Sequence, residues 1–291
     1  MLPKISIVTP SFNQGQFLEQ TIQSVLSQNY PNLEYVIIDG GSTDNSVEII
    51  KKYSDRLTYW VSEKDNGHAH ALNKGFARST GEIMAWLNSD DMYLPWTFSI
   101  VAEIFSSHPD VNWIIGCCSG WDSGGRQVWA GPFYRNLYDY LVGEPPWIQQ
   151  ESVFWRRCLW EKAGGKVNEG FLFSVDHELW CRFFLQDELW HATSTLGGYR
   201  QHASNRAILN HEQLSAEIGR ATDRLRRDCP HRLLGKHEFI KELRRFRDAF
   251  KILNWDGICR RLFSGLYESF RYNRIVYRKG RWEKDRVPAR L

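Results

Sequence analysis

Two carboxylates stand side by side at Asp90-Asp91, separated from the apolar run Ile83-Met-Ala-Trp-Leu87 only by Asn88 and Ser89. Adjacent negative charges repel. A hard-oxygen pair fixed at the end of a buried strand therefore suits Mg²⁺ or Mn²⁺ bridging a diphosphate. The same residues also suit an ordinary turn or helix cap, because Asn, Ser and Asp all favour turns. A further acid, Asp39, ends the run Leu33–Ile38 and precedes Gly40-Gly-Ser-Thr-Asp44. Its carboxylate can accept from a base N–H or a ribose hydroxyl, while the glycines let the backbone approach a ligand. The competing reading is a strand-to-helix turn capped by Ser42 or Asp44. Asp176 stands at the head of a pattern with Leu179, Trp180, Phe183 and Phe184 at helical offsets, where an N-cap is the plain reading.

The elements that must carry these acids are legible from periodicity. Strands are expected at Ile5–Thr9, Leu33–Ile38, Leu57–Val61, Ile83–Leu87 and Val111–Gly116, with helices between them. Phe17, Leu18, Ile22, Val25 and Leu26 mark the first helix, and Ile100, Val101, Ile104 and Phe105 mark one started by Pro95. Strands alternating with helices predict an α/β fold with a largely parallel sheet, whose ligands bind at the carboxyl ends of strands. Both acidic clusters fall at such ends. Residues 117–170 are irregular and rich in Gly and aromatics, with short structure only near Gln127–Ala130 and Leu159; a strand near Leu189–Thr195 follows.

A chain of 291 residues with 42% hydrophobic content can bury one substantial core. No apolar stretch approaches a membrane span and no leader is apparent, so a cytoplasmic protein is expected. The six cysteines, at 117, 118, 158, 181, 229 and 259, include no Cys-x-x-Cys pair, which argues against a zinc ribbon or a disulfide scaffold. Charge is divided. Residues 1–206 have 16 Lys and Arg against 23 Asp and Glu, net −7, whereas residues 207–291 have 21 against 11, net +10. That shift marks a boundary.

Taken together, Ile5-Ser-Ile-Val-Thr-Pro-Ser-Phe-Asn13, Ile38-Asp-Gly-Gly-Ser-Thr-Asp44, Leu72-Asn-Lys-Gly75 with Gly81-Glu82, and Trp86-Leu-Asn-Ser-Asp-Asp91 resemble glycosyltransferase family 2. Phe154-Trp-Arg-Arg157, Gly164-Gly165, Val175-Asp-His-Glu-Leu-Trp180 and Tyr199-Arg-Gln-His202 extend the resemblance to about residue 206. It implies a GT-A fold, a nucleotide-diphospho-sugar donor, a divalent metal (Mn²⁺ or Mg²⁺) and inversion at the anomeric carbon. By position it implies that Thr9 and Ser11 line the base pocket, Asp39 holds the base, Asp90 approaches the ribose, Asp91 binds the metal and Asp176 is the general base. His202 is implied as a metal or diphosphate contact. His68, His70, Asn73 and Lys74, lying between the acidic strand ends, are candidates for the donor phosphates. Gly40 and Asn88 depart from the family pattern, which often has an acid at each place. The Gln-x-x-Arg-Trp signature of processive members is absent, so a non-processive enzyme is expected.

The expected layout is a GT-A domain over 1–206, with a nucleotide-sugar half at 1–116 and an acceptor half at 117–206, followed by a basic helical extension at 207–291. The expected activity is inverting transfer of a sugar to an acceptor hydroxyl, on a glycan or lipid-linked acceptor in cell-surface polysaccharide or glycoconjugate synthesis. A sugar nucleotidyltransferase is the nearest competing enzyme, but it calls for a basic, Gly-rich loop after the first strand, and Ser11-Phe-Asn-Gln-Gly15 has no basic residue. A non-catalytic nucleotide- or glycan-binding protein is the alternative from another class. In the extension, Phe239, Leu243, Phe246, Phe250 and Leu253 form one helical stripe and Ile258, Leu262, Leu266 and Phe270 another, both among basic residues. Such a segment either packs on the acidic body or lies on the anionic inner face of a membrane. No nucleic-acid partner is expected.

Overall fold

A computed structural model describes residues 2–142, 147–205, 210–231 and 271–287, together with Leu234 and Glu242. Its first half is a run of parallel strands, β1 (Ile5–Ser11), β2 (Leu33–Asp39), β3 (Tyr59–Ser62) and β4 (Ile83–Trp86), ordered β4-β1-β2-β3 in the sheet. Helices α1 (Gly15–Leu26), α2 (Ser46–Lys52), α3 (His68–Phe76) and α4 (Thr97–Ser107) alternate with them. Strand β1 is buried along its whole length, as a central parallel strand covered on both faces must be. Its register places Ser11 beside Asp39, so the two meet at one end of the sheet. Gly75 lets α3 press onto that centre, because a Cβ there would lie 2.3 Å from a Val8 methyl.

The sheet continues from β4 through β8 (Val153–Arg156), β6 (Trp113–Trp121) and β9 (Trp190–Thr195). Strand β8 is antiparallel to both β4 and β6, whereas β6 and β9 are parallel. Short strands β5 (Met92–Tyr93), β7 (Gln127–Gly131) and β10 (Gly197–Arg200) pair beside this path, and α5 (Leu137–Val142), α6 (Arg157–Lys162) and α7 (Val175–Phe184) fill the second half. The expected mostly parallel α/β sheet is present. Four indoles, Trp86, Trp113, Trp155 and Trp180, are buried beneath it, with Trp86 stacked on Trp180 at 5.7 Å and edge-on to Trp155 at 5.6 Å. This cluster fixes α7 against β4.

Three features differ from the sequence reading. Strand β6 runs on to Trp121, and β8 lies inside the stretch read as irregular. Ser174, not Asp176, occupies the cap position of α7, so Asp176 sits in the first turn. Beyond residue 206, His211–Asp228 is helical (α8), but β11 (Tyr272–Arg278) and β12 (Arg281–Val287) form an antiparallel pair where a helical extension is expected. Lys279 and Gly280 both have positive φ, the geometry of a tight hairpin turn, and β-branched Ile275 and Val276 favour strand. Strand β11 joins the main sheet parallel to β9. The two apolar stripes between Phe239 and Phe270 lie outside the described residues. Five cysteines, at 117, 118, 158, 181 and 229, are free thiols. Among the described residues no helix is long and apolar enough to cross a membrane.

Candidate active site

The ends of β2 and β4 flank the end of β1, and the acids predicted from sequence converge there. Asp39 is fully buried and organises its own turn. It accepts from the Ser42 N–H at 2.9 Å, the Gly41 N–H at 3.2 Å, the Ser42 hydroxyl at 2.6 Å and the Ser62 hydroxyl at 2.7 Å. Ser11 Oγ beside it is buried with no partner, whereas Thr9 Oγ1 bonds Tyr35 at 3.1 Å. Gly40 has a local reason: a Cβ there would stand 3.0 Å from the Asp65 carboxylate. Asp65, not singled out from the sequence, thus brings a second acid to the turn from the loop after β3.

The Asn88–Asp91 turn is fixed from three sides. Thr21 of α1 donates to the carbonyls of Ser89 and Asp91 at 3.0 and 2.8 Å, and His68 of α3 meets Asn88 Oδ1 at 3.1 Å. The Arg200 N–H of β10 donates to Asp91 Oδ1 at 2.8 Å, and Asn88 Nδ2 donates to Oδ2 at 3.2 Å. Asp91 is 1% exposed, while Asp90 turns outward and accepts from His202 Nε2 at 3.0 Å. Arg200, itself buried, donates from Nε to the Asp90 carbonyl at 2.6 Å and stacks over Phe17 at 4.9 Å. His202, Phe17, Gln16, Ser123, Ala203 and Ser204 line a depression of about 620 Å³ beside this pair.

Glu151, also missed in the sequence, lies in a single 3-10 turn, Gln150–Ser152, and brings its carboxyl against that of Asp91. It is 4% exposed, and Oε2 has no donor partner. Two carboxylates in contact cannot both be ionised comfortably without a cation or a shared proton. Burial first, then the Glu151 and Asp90 charges, push the Asp91 carboxyl well above the ordinary carboxylate range. Gln149 and Gln150 flank the pair, Gln149 pairing with the Ser119 N–H and carbonyl at 2.7 Å each and Gln150 donating to the Trp86 carbonyl. Three consecutive polar residues read as surface in a sequence. Here they plug the strand ends.

Asp176 approaches the same place from α7, close enough for its charge to act on Glu151. Its carboxylate accepts the neighbouring His177 N–H at 2.8 Å and feels its own backbone N–H, and burial outweighs both and pushes it up to about 6. A carboxyl with few partners and a raised pKa has the properties of a proton acceptor near neutral pH. His177 turns inward instead, stacking on Tyr140 at 4.7 Å and bonding Thr222 at 3.1 Å. Burial lowers it to about 4, which keeps it neutral.

Asn73 and Lys74, expected near the donor phosphates, both have protein partners. Asn73 bonds the Val167 carbonyl, the Val167 N–H and Glu169 Oε1, tying α3 to the 167–169 loop, and Lys74 is paired with Glu63. His70 Nδ1 accepts the Asn66 N–H at 3.4 Å. The site thus gathers Ser11 and Asp39 on one side and Asp90, Asp91, Glu151, Asp176 and His202 on the other. Among the described residues no three His, Cys, Asp or Glu groups converge as a ready-made metal cage. The Asp91–Glu151 pair with its orphaned oxygen does fit a Mg²⁺- or Mn²⁺-type site, which takes one or two carboxylates and completes its shell with phosphate and water.

The sequence profile of Glycosyl transferase family 2 matches residues 6–203, from the start of β1 to just past His202. The chain belongs to glycosyltransferase family 2. An uncharacterized glycosyltransferase of Mycobacterium tuberculosis is 31% identical over 182 residues, 62% of this chain and 68% of that protein. One of Rickettsia prowazekii is 34% identical over 211 residues, 69% of this chain and 65% of the relative. TuaG of Bacillus subtilis, a putative teichuronic acid biosynthesis glycosyltransferase, is 37% identical over 94 residues, covering 31% of this chain and 37% of its own length. For a Nostoc glycosyltransferase the matched part is 33% of the relative's length. The fold agrees with that of residues 1–349 of S. aureus TarS, solved with UDP, at a TM-score of 0.60 and 17% identity over 76% of this chain and 65% of that TarS chain. The same TarS 1–349 chain has also been solved with UDP-GlcNAc, and that structure gives a TM-score of 0.58 over 70% of this chain and 60% of that chain. Helix α8 and the β11–β12 hairpin lie beyond the residues that the family profile matches.

Proposed function

We propose that this family 2 protein is an inverting, non-processive glycosyltransferase using a nucleotide-diphospho-sugar. The observation that carries the reading is the gathering of Asp91, Glu151 and Asp176 beside the Asp39 turn at the carboxyl ends of the strands. The Asp39 turn, Ser11 and Asp65 hold the nucleoside, Asp90 and His202 lie along the ribose and diphosphate, and Asp91 with Glu151 holds a divalent cation. That cation, when bound, supplies charge stabilisation for the leaving diphosphate. Asp176 takes the proton of the acceptor hydroxyl as its oxygen attacks the anomeric carbon. The new C–O bond forms as the bond to the diphosphate oxygen breaks, and the nucleoside diphosphate leaves.

TarS binds UDP and UDP-GlcNAc, which makes a uridine donor the first to try. TuaG is named for a cell-surface polymer, and a cell-surface glycan acceptor is the corresponding proposal here. A row of rings supports a sugar acceptor. Phe133 meets Trp129 at 6.1 Å, Trp129 meets Trp147 at 6.1 Å, and Trp147 meets Tyr199 at 6.0 Å. Phe133 and Trp147 are each 45% exposed, and Tyr199 at the far end is near enough to Asp91 and Glu151 to feel their charge. Apolar sugar faces stack on such rings. Peripheral contact of the +10 segment 207–291 with anionic lipid on the inner membrane face is a separate proposal, carried by charge alone.

A thermal-shift panel of nucleotide-sugars with and without Mn²⁺ tests the reading. A nucleoside-specific, Mn²⁺-dependent rise in Tm, lost in Asp91→Asn, is expected. No rise with any donor would overturn it.

A further inference from the structure

Helix α8 lies beyond the residues matched by the family profile, yet it grips the segment that presents Asp176. The Glu217 carboxylate, 5% exposed, accepts three successive backbone N–H groups: Leu172 at 2.9 Å, Phe173 at 2.9 Å and Ser174 at 3.0 Å. The Ser174 hydroxyl adds a fourth bond at 3.1 Å. Ser174 is the cap residue of α7 but makes no cap bond to its own helix, so that hydroxyl serves α8 instead. One turn further along α8, Thr222 bonds the His177 ring at 3.1 Å, and Arg224 lies 3.9 Å from Glu178.

Successive N–H groups pointing one way form an anion cradle, and a carboxylate in it makes charge-assisted bonds about twice as strong as neutral ones. Burial disfavours the Glu217 charge, but the three N–H groups outweigh it and hold the carboxyl below its ordinary range. Without the carboxylate those N–H groups would lose this partner, at greatest cost at Ser174, which is 1% exposed. Among the described residues Asp176 is held by backbone N–H groups of its own first turn, so its aim depends on the turn it stands on.

We propose that Glu217 is a positioning residue for the proton acceptor, and that α8 is part of the active site rather than an appendage to it. The inference rests on the reading of Asp176 given above. Glu217→Gln keeps the shape but removes the charge and substitutes an N–H₂ donor for an acceptor oxygen. Misplacement of a catalytic group by about 1 Å can cost roughly 10²-fold, so kcat should fall by up to about that factor while the donor KM stays within about twofold. Thr222→Val, which cuts only the His177 bond, should shift kcat the same way by less.

Hydrogen exchange on the full chain without donor reads the turn directly, with α1 amides as the internal reference. Faster exchange at Leu172–Ser174 in Glu217→Gln, together with a lowered kcat on the donor selected by the thermal-shift panel, supports the proposal. Normal exchange, or a normal kcat where Asp176→Asn is impaired, overturns it. A normal kcat in Asp176→Asn itself would overturn the transferase reading of Asp176, and the positioning proposal with it, whatever the exchange data show.

Discussion

The carboxyl groups of Asp91 and Glu151 lie close enough to act on one another, although Asp91 follows a parallel strand and Glu151 precedes an antiparallel one, and neither is more than 4% exposed. The pair is stable only with a proton or a cation between them. Glu151→Gln should therefore weaken Mn²⁺-dependent binding of UDP by about 10-fold or more while leaving metal-free UDP binding unchanged, as measured by titration calorimetry. Second-sphere and ligand changes at metal sites commonly cost that much. Unchanged Mn²⁺ dependence would remove Glu151 from the site.

Asp91→Ala carries a cost that Asp91→Asn avoids. The Arg200 N–H donates to Asp91 Oδ1 in a buried setting, and leaving it unpartnered should cost about 1–3 kcal/mol. Asn keeps an acceptor there. Chemical denaturation should rank wild type and Asn close together and Ala lower, with both variants losing Mn²⁺-dependent donor binding.

Asp176→Asn should retain donor binding and lose turnover by about 10²- to 10⁴-fold, the usual contribution of a positioned proton acceptor. In the wild type the rate should rise with pH through about 6, where the carboxyl ionises. That limb should be missing from the variant's profile. A near-normal rate in the variant would dismiss Asp176 as the acceptor.

The same residue predicts a stability effect of definite sign. A carboxyl raised in the folded state binds protons there more tightly than in the unfolded chain. Its contribution is present below the unfolded value near 4 and is lost as pH rises through about 6. Above that window the ionised Asp176 destabilises the fold. Asp176→Asn should be more stable than wild type at pH 7, by on the order of 1–3 kcal/mol, and the gap should close toward pH 4. Urea melts at the two pH values test it, and a gap that widens on acidification would contradict the assignment.

Trp147→Ala should raise the acceptor KM by about 2- to 10-fold and leave the donor KM unchanged, given ring contacts of about 0.5–1.5 kcal/mol. Competition by short oligosaccharides against the acceptor would be weakened in parallel. Equal KM values in the two proteins would exclude the ring row as an acceptor platform.

Much of the first half was legible because it obeys local rules. Ile5, Ile7 and Val8 in β1, and the Asp-Gly-Gly and Asn-Ser-Asp-Asp turns, couple an apolar run to a polar end, which is the pattern of a central parallel strand in any setting. Glu151 was not legible, since Gln149-Gln150-Glu151 is polar and its burial is imposed by partners such as Ser119 and Trp86 that lie far away in sequence. The partners of Asn73 and Lys74 were not legible either, since a helical pattern between two acidic strand ends does not reveal that Val167 and Glu63 face it. The hairpin at Tyr272–Val287 carried a readable signal in Lys279-Gly280, outweighed by the basic composition around it.

Strand β11 completes the sheet beside β9 from a point far down the chain. During synthesis β1–β4 and their helices can close early, while the β9 edge must wait for residues 272–287 to leave the ribosome. An open edge next to the apolar Ala192 and Leu196 is a template for pairing with another copy. Expression of shortened chains that stop before the hairpin should therefore yield aggregates, even though the whole family-matched region is intact in them.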